Sequence, residues 1–303
     1  MAGQTIGAET QLKIGSNKIC FVSIEDKTVF GLTDGSSDAI CGSHYVRADR
    51  FSTGPITPKL HILMHPTPEE FDALLPLLGF SESTDVFTLV EDFSSLTGFD
   101  VLLARGASVD LYENGIVDKA ILRFQKGGKP WALELQVYFQ NMQINSAGTF
   151  SGSEISGTAP YAFTAGVLNA NSISGVPFQS GLLMIDYNVN VQHNNSILPT
   201  SIIPGVVKIH LGVDTPYTSD EVTLLTAFTS ESDPPVPVAT GYSGSVVFTR
   251  GGLSCTLALT NLKSEATPPS IKNRSEEVRL KMFYEVLGTS STKPLVITND
   301  ITA

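Results

Sequence analysis

His61 and His65 fall on one face of an extended run, and two imidazoles so placed could share a metal ion. Neither has a cysteine or carboxylate at ligand spacing, and His210 stands alone in a comparable run, so ordinary sheet histidines are the expectation. Gly241-Tyr-Ser-Gly-Ser245 lacks the Gly-x-Ser-x-Gly order of a nucleophile elbow. Gly127-Gly-Lys129 has neither the leading glycine nor the following Ser or Thr of a phosphate loop, and reads as a hairpin turn. Asp34 and Asp38 flank glycine and serines, but they miss the calcium-loop spacing and no closing glutamate follows. Glu69, Glu70 and Asp72 suit a helix N-terminus, where negative charge is favourable, and Glu91 and Asp92 have no partner base. Cys20, Cys41 and Cys255 are sparse, odd in number and without ligand spacing, so they read as reduced thiols. These residues predict no enzyme, no cofactor and no metal. Function must then lie in surfaces.

The elements around these residues are mainly β. The 303 residues are 42% hydrophobic and 16% charged, enough for a sizeable core, and 26 Gly with 17 Pro predict many turns. The net charge of -11 is shared by both halves, which argues against a broad grip on nucleic-acid phosphates. The N-terminus lacks the basic and apolar regions of a signal peptide. No apolar run approaches the ~20 residues needed to span a bilayer. The sequons at Asn194 and Asn273 read as incidental.

The clearest local signal is Leu60–Gly79. Leu60, Ile62 and Met64 take one side of a strand, and Pro66 ends it. Thr67 with Glu70 has capping-box spacing, and Pro68 opens a helix whose Phe71, Leu74, Leu75 and Leu78 form one apolar face. Gly79 supplies the stop. A parallel passage follows later: Val207–Leu211 as a strand, Thr218 to Glu221 as a capping box, and Val222, Leu225 and Phe228 as an apolar stripe.

Other signals fill in the chain. Residues 1–16 read as an arm or a first edge strand, and 25–43 as a long connection. Phe99–Leu111 reads as two strands joined at Arg105-Gly106, and Asn114-Gly115 as a further tight turn. Lys119–Phe124 and Trp131–Phe139 form a hairpin, with Trp131, Leu133, Leu135, Val137 and Phe139 on one face. In the second half Leu182–Val191 is extended, Arg250-Gly251 repeats the Arg-Gly turn, and Val278–Val286 repeats the closing strand. Pro294–Ile297 is a segment that could pair with a neighbour's sheet edge. The repeated order predicts an internal duplication: two tandem β-sandwich or small-barrel domains, each with one α-helix. The Ser/Gly-rich run 145–157 separates them, giving domains over 1–148 and 158–303, the second with a C-terminal arm.

Leu60–Gly79, above all Pro66-Thr-Pro-Glu-Glu-Phe-Asp-Ala-Leu-Leu75, resembles the strand-helix segment of siphophage major tail tube proteins. Phe99–Gly106 and the hairpin ending in Trp131–Phe139 resemble the strands that follow it there. The resemblance covers most of 10–140 and, more faintly, 160–290, and the chain departs from the common pattern in carrying two units. It implies a virion structural protein made in the host cytoplasm. Homotrimeric, pseudo-hexameric rings would stack into a tube through which DNA passes without specific binding. Tape measure, tail terminator and baseplate proteins would be its partners. The apolar helix residues Phe71, Leu74, Leu75, Val222 and Leu225 then become candidates for packing between subunits, and Asp34, Asp38, Arg105 and Arg250 candidates for ring stacking. Alternatives are a tail terminator, an Hcp-like secretion tube ring, or a non-enzymatic β-sandwich binding module of a base plate or fibre. A carbohydrate binder would need an exposed aromatic platform, whereas the single Trp131 lies on a core-like face.

Overall fold

Alternation and capping act in the chain as their chemistry requires. In the computed structural model, residues 10–34, 51–93, 96–106, 108–146, 150–155, 157, 159–170, 173–216, 242–266 and 279–301 are described. The protein is mainly β. Its first half runs β1 (Thr10–Ile14), β2 (Asn17–Ile19), β3 (Ser23–Asp26), β4 (Val29–Asp34), β5 (Phe51–Thr57) and β6 (Lys59–Met64). Helix α1 (Pro68–Leu74) and a 3-10 turn (Leu75–Leu78) follow. Then come β7 (Phe80–Ser83), β8 (Val86–Leu89), β9 (Phe99–Arg105), β10 (Ser108–Gln125), β11 (Ala132–Tyr138), β12 (Asn141–Gln143) and β13 (Ser153–Glu154). The remainder is β14 (Ala162–Ala170), β15 (Ile173–Pro177), β16 (Ser180–Asp186), β17 (Asn190–Gln192) and β18 (Ser201–Ile203). It ends with β19 (Lys208–Pro216), β20 (Tyr242–Arg250), β21 (Leu253–Ala266), β22 (Arg279–Val286) and β23 (Leu295–Asp300).

Helix α1 starts as its capping box dictates. Thr67 Oγ1 accepts from the Glu70 backbone N–H at 3.2 Å, and Glu70 Oε2 accepts from the Thr67 N–H at 2.9 Å. Gly79 closes the segment in the left-handed region, φ 77°, where a side chain would be strained. The apolar face of the helix meets Leu122, Leu133, Leu183 and Ile185 on the inner face of a sheet.

Strand β10 organises the rest. Its first half pairs with β9 and β12, and its second half with β11 and β16. The smaller sheet thus runs β13, β2, β1, β9, β10, β12, with β13 and β2 parallel and the other pairs antiparallel. The larger runs β3, β6, β11, β10, β16, β19, β22, β21, β20, β14, β15. A bridge between Pro130 and Ala162 brings β14 back to the β10–β11 turn and closes the layer. The β10–β16 pairing crosses from the first half to the second, with Lys119 Nζ 2.9 Å from Asp186 Oδ2 at one end.

The core is continuous between the halves. Trp131 is fully buried, with its ring centroid 4.6 Å from Phe71, 5.1 Å from Tyr161 and 4.7 Å from Phe248. Its indole N–H donates to Pro66 O at 2.9 Å, so the one polar atom of the side chain is satisfied.

Several sequence expectations change. The long connection over 25–43 contains the end of β3 and all of β4, which pairs with β5. Val29 and Phe30 are strong strand formers, and the polar residues after them had hidden that run. Asn114-Gly115 is an irregularity inside β10, with Asn114 at φ 54°, and not a turn. A left-handed residue serves either purpose, so the dipeptide alone does not distinguish them. Leu182–Val191 is interrupted between β16 and β17, where Asn188 has φ 48°. Strand β1 is not an edge, because β2 and β9 flank it. Likewise β23, read as a segment for a neighbour's sheet, pairs with β21 on one side and β8 on the other within its own chain. The helix expected over Thr218–Phe228 lies outside the described residues, so α1 is the one α-helix among them.

Candidate functional site

Phe71, Leu74 and Leu75, candidates for packing between subunits, lie on α1 and the following turn and are buried inside the chain's own core. They present no surface to a second chain, because the sheet beneath already covers the apolar face. Val222 and Leu225 lie outside the described residues, as does Asp38. Asp34 ends β4, opposite Phe51 of β5.

Arg105 and Arg250 both stand at the hairpin turns that the sequence suggested. Gly106 and Gly251 supply the left-handed backbone there, at φ 61° and 57°. Arg250 is exposed. Arg105 is held back: Nη1 lies 3.1 Å from Asp110 Oδ2 and Nη2 3.9 Å from Asp26 Oδ2. Asp26 also accepts from Tyr112 Oη at 2.8 Å. Partial burial pushes the Asp26 carboxyl up, but hydrogen bonds from Thr28 and Tyr112 and the Arg105 charge outweigh it, so it lies below the usual aspartate range.

Beside this group runs an open groove of about 820 Å³, lined by Leu12, Lys18, Cys20, Phe21, Glu70 and Arg105 among others. Its chemistry is passive. Partial desolvation first, although the residue is exposed, and the Glu70 carboxylate second hold the Cys20 thiol above its ordinary value, which makes it a poor nucleophile at neutral pH. Glu70 is itself buried and spent on structure, since Oε1 accepts from the Cys20 N–H at 2.9 Å while Oε2 serves the helix cap. Cys255 is buried in the core.

His61 and His65 likewise lie against local groups. His61 Nε2 lies 2.9 Å from Glu134 Oε1, and Glu134 also meets Arg123 Nη2 at 3.2 Å. His65 Nδ1 donates to Trp131 O at 2.5 Å. Among the described residues no group of three or more His, Cys, Asp or Glu could hold a metal ion. The Gly127–Lys129 stretch is the exposed β10–β11 turn, and Glu91 meets Lys293 at 2.6 Å.

The outward face of the larger sheet carries acids and bases side by side. Lys119–Asp186, Arg123–Glu134 and Lys263–Glu285 lie 2.9, 3.2 and 3.8 Å apart. Such exposed pairs contribute little to stability, ~0–1 kcal/mol each, but they leave no uniform field of either sign.

A polar group that sequence reasoning did not find is Asn299, fully buried on β23. Its Nδ2 donates to Pro68 O at 3.2 Å and Asp72 Oδ1 at 3.1 Å, and its Oδ1 accepts from Tyr161 Oη at 3.0 Å. An asparagine at an inward position of an alternating strand was the available signal. Burial raises the Asp72 carboxyl, the Asn299 hydrogen bond opposes that, and Glu82 and Asp85 add to the rise. A raised folded-state value favours the protonated acid, so this contribution to stability is present below the unfolded aspartate value of ~3.9 and lost as pH rises through the folded value. Asp72→Asn keeps an acceptor for Asn299 and removes the charge. It should melt higher than the parent at pH 7, with the gap closing toward pH 3 in thermal melts; a gap that widened toward pH 3 would contradict this assignment.

Together these observations define a mainly β protein in which Phe71, Leu74 and Leu75 serve packing and Arg105 local ion pairing. No known protein-family model matches the chain, and no curated protein is significantly similar to it. No helix among the described residues is long and apolar enough to cross a membrane.

Proposed function

We propose that the chain is a structural subunit of a phage tail tube, three copies forming a pseudo-hexameric ring and rings stacking into a conduit for DNA. The observation that carries this reading is the order of elements from Leu60 to Phe139. Strand β6 runs into the capped helix α1, which covers the inner face of a sheet, and the β9–β10 and β10–β11 hairpins follow. That order is where the resemblance to siphophage tail tube proteins lies. Two tandem units of that type, related by duplication, would let three chains supply six positions.

Electrostatics favours the same reading. A chain of net charge -11 whose large outward sheet face carries paired acids and bases gives DNA phosphates little purchase. A ring with two different faces is a heterologous assembly, and such contacts propagate into filaments. The tape measure, terminator and baseplate proteins of a tail would be its partners in the virion.

Negative-stain microscopy of the concentrated protein provides the test. Rings or tubes with a central hole are expected. Protein that remained monomeric at high concentration would sink the proposal, and single rings that never stack would instead indicate a terminator.

A further inference from the structure

Among the described residues, exposed apolar side chains gather on two small ribbons and the segments that adjoin them. Eight large apolar residues are exposed among the described residues, and five of them are Val29, Phe30, Ile197, Ile203 and Val206. Val29 and Phe30 lie on the two-stranded β4–β5 sheet, and Ile203 on the two-stranded β17–β18 sheet. The loop of the second ribbon joins the first: Ile56 N–H donates to Ile197 O at 2.7 Å, and Thr57 Oγ1 lies 3.1 Å from His193 Nε2. Phe30 is the cross-strand partner of that same Ile56. Consecutive strand residues point to opposite faces, so exposures of 61% at Val29 and 59% at Phe30 mean that, among the described residues, nothing covers either face of the first ribbon at this point. A two-stranded ribbon is marginal alone, and contiguous bare apolar surface of this kind marks an interaction site.

Charge selects the occupant. Apart from Asp34 at the far end of β4, residues 28–34, 51–58 and 187–207 contain no Asp, Glu, Lys or Arg, in a chain of net charge -11. A basic partner would be drawn to the acidic remainder of the surface, where it gains Coulomb energy. Two acidic chains meet with least repulsion where both are uncharged. We infer that the uncharged surface formed by the β4–β5 and β17–β18 ribbons is where a second copy of this chain docks. This rests on the reading that the chain self-assembles.

The test compares the full-length parent with Phe30→Glu, Ile197→Glu and Val206→Glu by sedimentation velocity at matched concentrations. A glutamate in an apolar contact must be desolvated without a partner, so each variant should need about tenfold more protein to assemble. Val206 is 75% exposed and follows Gly205, whose N–H donates to Tyr187 O at 2.9 Å just ahead of β17, so its variant probes the same surface and keeps the fold even if a ribbon substitution does not. Melting temperatures within about 2 °C of the parent establish that the fold is intact. Phe283→Glu, at an exposed position on β22, should leave assembly unchanged. If the parent assembles and the folded variants assemble equally well, the docking surface is wrong and the tube reading survives. A parent that stays monomeric overturns both.

Discussion

Replacing Phe71 by aspartate should leave no cooperatively folded protein. The Phe71 ring is buried 4.6 Å from the Trp131 ring centroid, at the point where α1, β11 and the second half of the chain meet. Removing such a ring costs about 3–5 kcal/mol even as alanine, and an unpaired buried carboxylate adds several more. A domain's total stability is about 5–15 kcal/mol, so the sum consumes most or all of it. Were this helix face packed between subunits, the change would block assembly; burial within one chain puts the failure a step earlier, at folding. Circular dichroism and the Trp131 emission wavelength read the outcome directly. A soluble Phe71→Asp variant with a parental melting curve would show that the helix is not seated as described. Phe71→Leu, which keeps most of the apolar volume, should fold with a lower melting temperature.

Asn299→Ala carries the second largest expected effect. It strips hydrogen bonds from Tyr161 Oη, from Pro68 O and from the Asp72 carboxylate. Asp72 can turn to water, but the Tyr161 hydroxyl and the Pro68 carbonyl are closed in. The Pro68 carbonyl keeps its helical partner, so with the Tyr161 hydroxyl left unsatisfied the loss should be about 1–3 kcal/mol. A urea titration would report it as a lower midpoint at unchanged slope. Asn299→Asp should be worse at neutral pH, since it removes the donors and sets a second carboxylate against Asp72. An unchanged midpoint for both variants would mean that the network contributes nothing.

Much of the fold was legible because local chemistry and tertiary structure agree. Thr67, Pro68, Glu70 and Gly79 specify the helix between Pro66 and Phe80, and tertiary packing had only to accept it. Leu60, Ile62 and Met64, or Trp131 through Phe139, alternate because one face of each strand meets the core. What stayed hidden depends on partners distant in sequence. Nothing local to Val86–Leu89 says that Leu295–Asp300 will pair with it, nor does anything near Pro68 announce Asn299. Asn114 illustrates the limit, since a left-handed residue bends a strand or reverses it depending on what lies opposite. The candidate site was least legible. Of the residues marked by their type, Arg105 holds local ion pairs and His61 lies beside Glu134. The bare ribbons drew no notice because exposure is a property of the folded surface.

The pairing of β8 with β23 also sets a timetable for folding. Thr88 and Val296 are opposite residues about 200 positions apart in the chain. At synthesis rates of ~5–20 residues per second, the outer edge of β8 waits roughly 10–40 s on the ribosome before its partner exists. Strand β10 waits for Ser180–Asp186 in the same way, though for less time. An unpaired edge is a template for pairing with the wrong chain, and contacts this distant in sequence form slowly. Nascent chains of this protein on a shared messenger therefore present open sheet edges to one another throughout that interval.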